Sequence, residues 1–192
     1  MSIEKLLQGS GPAAILVGAL WIVFSNLGWN FGSELVSAML WIIINFLFAY
    51  GLAGLYRSVP KRMTTYLSFL VVFAGILWQT SGGLYTLFTD FGWILFISGF
   101  YLFAFGLVLV GAVTLASGTL SPWSFLPVMI GILLVGFIIS GDEPTPPLQT
   151  FLGIAFGLSW AVLGFILWRT KMDTPNAAPP GRSQHPCQNY HA

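Results

Sequence analysis

The chain has 192 residues, of which 56% are hydrophobic and only 7% are charged, and its formal net charge is +1. Ordinary soluble domains carry about 25% charged residues, so this composition excludes a water-exposed surface of normal area and predicts an all-α polytopic membrane protein. The basic residues lie at predicted membrane edges rather than on one face, which excludes nucleic acid as a partner.

An apolar run begins close to the N-terminus, after Lys5. The residues that follow this run, Ser25 to Trp29, lack the small-x-small pattern of a signal-peptide cleavage site. We therefore expect an uncleaved first membrane helix.

Six apolar segments follow one another, with lengths typical of helices that cross a hydrocarbon core of about 30 Å. The predicted helices cover about Pro12–Trp29, Leu35–Tyr56, Thr64 to at least Thr80, Trp93–Ala116, Pro122–Ser140 and Leu148–Trp168. Ser121 is the expected N-cap of the fifth helix, and Pro127 is expected to kink its interior. Gly82 and Gly83 are expected to weaken the third.

The segment 172–192 differs from the rest because it is rich in proline and polar residues. Such a segment cannot bury enough apolar surface to offset its ordering entropy. The sequence thus predicts a six-helix transmembrane domain at 1–171 and a disordered cytoplasmic tail at 172–192. His185, Cys187 and His191 have metal-ligand chemistry, but in a flexible tail we expect them to form no specific metal site.

Basic and acidic residues separate onto opposite sides if the chain crosses the membrane six times. One side then holds Lys5, Arg57, Lys61, Arg62, Arg169, Lys171 and Arg182, and the other holds Glu34, Asp90, Asp142 and Glu143. Lysine and arginine beside short loops are retained on the cytoplasmic side. The protein is therefore predicted in the cell inner (plasma) membrane with both termini cytoplasmic.

A short pattern recurs in the second helix of each predicted hairpin. It reads Ala49-Tyr50-Gly51-Leu52, Ala104-Phe105-Gly106-Leu107 and Ala155-Phe156-Gly157-Leu158. The recurrence predicts three parallel hairpins, although these residue types are also those that membrane packing favours in general.

Small residues form one stripe along the sixth helix, namely Gly153, Gly157, Ala161 and Gly164. Small side chains at this spacing allow a second helix to approach closely. We interpret the stripe as a helix-packing seam, within the chain or between chains, rather than as a ligand surface.

Three uncharged amides, Asn26, Asn45 and Gln79, lie at membrane depth in the predicted helices. One interpretation is that they form hydrogen bonds between helices. The other is that they line a narrow polar path for a small neutral solute. Both require the amides to point inward, because an amide exposed to lipid is costly.

The predicted membrane core contains no acid, lysine, arginine or histidine. Proton relays, ion coupling and intramembrane catalysis normally depend on such groups, so we expect neither an enzyme nor a cofactor. Four tryptophans, Trp21, Trp41, Trp78 and Trp160, are expected to pack between helices. Two hypotheses remain: a non-enzymatic protein that associates with itself or with another membrane component, and a passive channel for a small neutral solute.

Overall fold

The computed structural model of the protein describes residues 9–27, 34–141 and 146–172. The predictions for the tail at 172–192, except that Met172 ends the last helix, lie outside the described residues, as does the acidic pair Asp142 and Glu143. So do the tail residues His185, Cys187 and His191.

The described residues form six α-helices and no strand. In chain order these are α1 (Ser10–Leu27), α2 (Glu34–Ser58), α3 (Met63–Tyr85), α4 (Phe91–Ser117), α5 (Leu126–Ser140) and α6 (Pro146–Met172). Four of them, α2, α3, α4 and α6, are long and apolar enough to cross a membrane, whereas α1 and α5 are shorter apolar helices.

Helix α3 continues through Gly82 and Gly83 to Tyr85, so the expected weak point does not end it. Both glycines lie where a neighbouring helix approaches closely. A methyl group on Gly82 would lie 2.7 Å from Phe96 Cα, and one on Gly83 would lie 3.1 Å from the Trp41 ring. The pair therefore serves packing rather than helix termination.

The expected start of the fifth helix at Ser121 and Pro122 is wrong. Helix α5 begins at Leu126, with Pro127 in its first turn, where the missing N–H of proline costs little. The preceding turns are held by Ser124, whose Oγ accepts from the Leu120 N–H at 3.2 Å and whose carbonyl accepts from Thr114 Oγ1 at 3.1 Å. Pro127 accordingly lies in the first turn of the helix and does not kink its interior.

Each helix packs against the next one in the chain, and α6 packs against α1, so the six helices close a ring in chain order. Successive contacts along a pair show that these neighbours run antiparallel: Gly11 with Gly164 and Gly18 with Gly157 join α1 and α6, and Gly75 with Phe103 and Gly82 with Phe96 join α3 and α4. The packing is closest between α3 and α4 and between α1 and α6, and it is least extensive between α2 and α3.

The three recurring glycines all lie at close helix contacts, but not at equivalent ones. Gly51 of α2 faces Ala14 of α1, and Gly106 of α4 faces Val72 of α3. Gly157 of α6 instead faces α1. The third copy of the pattern therefore closes the ring rather than packing within its own predicted hairpin.

Aromatic side chains fill the centre of the ring. Trp21 lies 4.9 Å from Phe156 and 5.8 Å from Phe48, and Phe48 lies 4.9 Å from Trp160, measured between ring centroids. All four are at most 1% exposed. Trp78, which was expected between helices, is instead 51% exposed on the outer side, where its indole donates to Ser98.

Candidate functional site

A pair of amides joins α2 to α3 in the interior. Gln79 Nε2 donates to Asn45 Oδ1 at 2.5 Å, and Asn45 Nδ2 donates to the Trp41 carbonyl one turn earlier at 3.0 Å. Asn45 is 2% exposed and Gln79 is 0% exposed. Two of the three amides singled out in the sequence are thus brought together, at the seam where the backbones of neighbouring helices approach least.

The remaining oxygen of this pair, Gln79 Oε1, has no hydrogen-bond partner among the described residues. Leaving a buried acceptor unpaired costs about 1–3 kcal/mol. In the described part of the chain the same holds for the indole N–H groups of Trp21 and Trp160. Gln79 Oε1 and the Trp21 and Trp160 indole N–H groups can therefore still bind a hydrogen-bonding group.

The surroundings of the amide pair are aromatic and small. Trp41 lies 5.2 Å from Phe96, 5.3 Å from Phe100 and 6.1 Å from Trp21 between ring centroids. A methyl group on Gly99 would lie 2.7 Å from Gln79 Cβ. Because Gly99 carries no side chain, α4 presses its backbone against Gln79 and holds the base of that side chain in place.

Asn26 does not join the pair. Its side chain is exposed near the end of α1, and its Nδ2 donates to the Ile22 carbonyl of the same helix at 2.7 Å. This back-bond satisfies the amide donor locally. Of the three amides, therefore, only those of Asn45 and Gln79 lie together.

The small-residue stripe of α6 lies against α1. Methyl groups on Gly157 and Gly164 would lie 2.6 Å from the Gly18 and Gly11 carbonyl oxygens, respectively. Gly153 meets Ser25 in the same way, and Ala161 meets Gly18. The stripe is thus occupied within the chain.

A comparable seam between α3 and α4 was not singled out from the sequence. It consists of Gly75 and Gly82 on α3 and Gly99 and Gly106 on α4, each against backbone of the other helix. Within each helix the two glycines are seven residues apart, the spacing that returns to the same face after two turns. That spacing is the signal by which the seam could have been found.

Charged side chains lie at the helix ends. Arg57, Lys61 and Arg62 surround the connection from α2 to α3, and Arg169 lies near the end of α6 at the same end of the ring. Asp90 lies at the opposite end, just before α4. The described residues include no group of three or more metal-ligating side chains.

No protein-family model, curated protein or solved structure matches this chain.

Proposed function

We propose that the chain is a non-enzymatic integral membrane protein that acts by associating, within the bilayer, with a second copy of itself or with another membrane protein. In this proposal it crosses the cell inner (plasma) membrane six times as three parallel hairpins, with both termini cytoplasmic. The antiparallel ring supports six crossings, since α1 and α5 reach about 27 and 22 Å at 1.5 Å per residue and turns extend α5 toward Leu120. Arg57, Lys61, Arg62 and Arg169, which lie at one end of the ring, support the orientation.

The observation that carries the association is an outward row on α3. Every third or fourth residue is exposed: Leu67, Leu70, Ala74, Leu77 and Ser81. Leu70 and Leu77 are 65% and 69% exposed. Small residues between leucines at this spacing allow a second helix to pack along the row, as in a heptad seam.

Two further features support this face over the others. The stripe on α6 is already covered by α1, so it is not open to a second protein. Helix α2, beside α3, buries the smallest share of its apolar stretch among the four long helices. Among the four long helices, α2 and α3 therefore leave the largest shares of their apolar stretches unburied.

The test is energy transfer between donor- and acceptor-labelled copies in liposomes, with the label on Cys187, the single cysteine. We expect energy transfer above random proximity for the unmodified protein and a loss of about tenfold or more in the association constant for Ala74→Phe, since overpacking costs about 1–3 kcal/mol.

The matched control is Ala19→Phe, an exposed alanine on α1. It should leave association unchanged. Two results together overturn the proposal: the protein stays monomeric in liposomes, and cross-linking in its native membrane joins it to no membrane protein. Recovery of a membrane protein that Ala74→Phe abolishes and Ala19→Phe retains supports the version with a different partner.

A second candidate, passive passage of a small neutral solute, is favoured by one observation, the unpaired Gln79 Oε1 beside Asn45. A solute that carries an O–H or N–H group satisfies this acceptor. The aromatic rings fill the centre of the ring in this conformation, so passage requires α2 to move away from α3, where the helices pack least.

Swelling of proteoliposomes in glycerol tests this candidate. We expect the flux above that of empty liposomes to fall about tenfold in Gln79→Leu, because the solute then loses a hydrogen bond. Ser98→Ala, on the outer side of the α3–α4 contact, should retain the flux. Flux equal to that of empty liposomes for the unmodified protein removes this candidate and leaves the first proposal standing.

A further inference from the structure

Three cations lie within six residues at the connection from α2 to α3, and we refer to Arg57, Lys61 and Arg62 as the basic cluster. Arg57 occupies the last turn of α2, and Arg62 is the N-cap of α3 without a side-chain capping bond. All three side chains are exposed. The cluster therefore presents concentrated positive charge at one end of the ring.

Lys61 is held in place by Tyr56. Its Nζ donates to the Tyr56 carbonyl at 2.6 Å and lies 3.4 Å from the centre of the Tyr56 ring. Partial burial, and next the positive charge of Arg57, lower the pKa of Lys61 from its usual 10.5. The like charges are thus close enough to repel one another.

No described carboxylate compensates this charge. Of the six acidic residues in the chain, the structure describes the side chain of Asp90, which lies at the opposite end of α3. An anion that binds beside the basic cluster would therefore offset the repulsion among its three cations.

Apolar and phenolic side chains lie immediately beside the basic cluster. Met63 and Tyr66 are 70% and 47% exposed, and the Tyr56 and Tyr66 rings are 6.0 Å apart. Tyrosines of this kind sit at the headgroup level of a bilayer. The surface therefore combines positive charge with an apolar edge, which matches an anionic headgroup attached to acyl chains.

We infer that the basic cluster, together with Tyr66 and Met63, binds the phosphate-bearing headgroup of an anionic phospholipid. The inference requires only that the helices lie in a bilayer, so it is independent of both association and solute passage.

Native mass spectrometry of the purified protein with phosphatidylglycerol tests this site, with phosphatidylcholine as the neutral comparison. Each cation near an anionic surface contributes a factor of about five in affinity. We therefore expect Arg57→Gln/Arg62→Gln to weaken phosphatidylglycerol binding about 30-fold and leave phosphatidylcholine binding unchanged.

The matched control is Arg169→Gln, which removes a cation from the same end of the ring and should retain the preference for phosphatidylglycerol. Equal binding of the two lipids by the unmodified protein overturns the inference, as does an unchanged preference in the double variant. The inference is also overturned if millimolar inorganic phosphate displaces bound phosphatidylglycerol as strongly as added phosphatidylglycerol does, because the site then recognises free phosphate. A thermal melt of each variant in phosphatidylcholine alone shows whether it is folded, and single Arg57→Gln and Arg62→Gln variants replace the double variant if it is not.

Discussion

Helix α3 is held by two neighbours in two different ways. Against α4 it packs through glycines, so that backbone meets backbone along the whole contact. Against α2 it packs less extensively, and the interior connection is the hydrogen bond between Gln79 and Asn45. In a bilayer, lipid is as apolar as leucine, so dispersion contacts at small residues stabilise an extensive helix contact. A buried polar pair instead fixes how two helices are aligned along each other.

The largest effect is expected from breaking the glycine contact. A methyl group on Gly75 would lie 2.6 Å from Phe103 Cα, and the helix backbone cannot yield as a flexible side chain would. Gly75→Ala should lower the free energy of unfolding by about 1–3 kcal/mol. Unfolding in a graded series of denaturing detergent measures this change.

Gly136→Ala is the control for that substitution, since the nearest atom to its methyl group, Leu152 Cδ1, would be 3.5 Å away. Because alanine favours helix over glycine by about 1 kcal/mol, this variant should be no less stable than the unmodified protein. Equal destabilisation by Gly75→Ala and Gly136→Ala contradicts the role given to the α3–α4 glycines.

Breaking the amide pair should cost somewhat less. Asn45→Leu leaves Gln79 Nε2 buried without its acceptor, a loss of about 1–2 kcal/mol. Replacing both residues in Asn45→Leu/Gln79→Leu should recover part of that loss, because no partner is then left unpaired. The same unfolding assay gives the coupling energy, expected near 0.6 kcal/mol and up to about 1.7 kcal/mol; additive effects of the two substitutions contradict the pairing.

The hydrogen bond that accompanies the glycine contact between α3 and α4 should contribute little to the free energy of unfolding. The bond from Trp78 Nε1 to Ser98 Oγ, at 3.0 Å, lies on the outer side of α3 and α4. Ser98→Ala should therefore lower the free energy of unfolding by about 0.6 kcal/mol, the average for a hydrogen bond between membrane helices. A loss larger than that of Gly75→Ala would reverse the order of the two contributions.

The smallest expected effect is on the pH dependence of stability, through Lys61 in the loop that connects α2 to α3. Because the pKa of Lys61 is lowered in the folded protein, the unfolded chain binds more protons in the interval just below 10.5, and stability rises with pH through that interval. Arg57→Gln removes the second cause of the shift and should make this rise shallower. Unfolding of the unmodified protein and of Arg57→Gln at several pH values measures the difference between the two slopes, and an equal or steeper rise in Arg57→Gln contradicts the assigned cause.

The sequence was sufficient to locate the apolar helices and to single out Asn45 and Gln79, because an amide is conspicuous among aliphatic residues. It was not sufficient to say which side of a helix faces inward. Outward residues such as Leu70 and Leu77 are as apolar as inward ones such as Val72. Hydropathy therefore does not distinguish the inward face of such a helix from its outward face. Trp78 was misplaced for this reason.

The start of α5 and the contact between α1 and α6 could not be predicted from the sequence, for different physical reasons. The start of α5 was misjudged because Ser121 and Pro122 have the composition of a helix N-terminus, whereas the contacts of Ser124 with Leu120 and Thr114 favour turns. The contact between α1 and α6 joins the two ends of the described chain. Local periodicity carries no information about such long-range pairing.

That contact has a consequence for biosynthesis. Among the six described helices, α1 is synthesised before the others, and α6, which covers its glycines, is synthesised after them. Until Gly157 and Gly164 arrive, the growing polypeptide presents an uncovered seam to lipids and to the insertion machinery. Products that terminate before α6 should therefore leave the α1 glycines exposed, so the packing of the six described helices is completed only when α6 has been made.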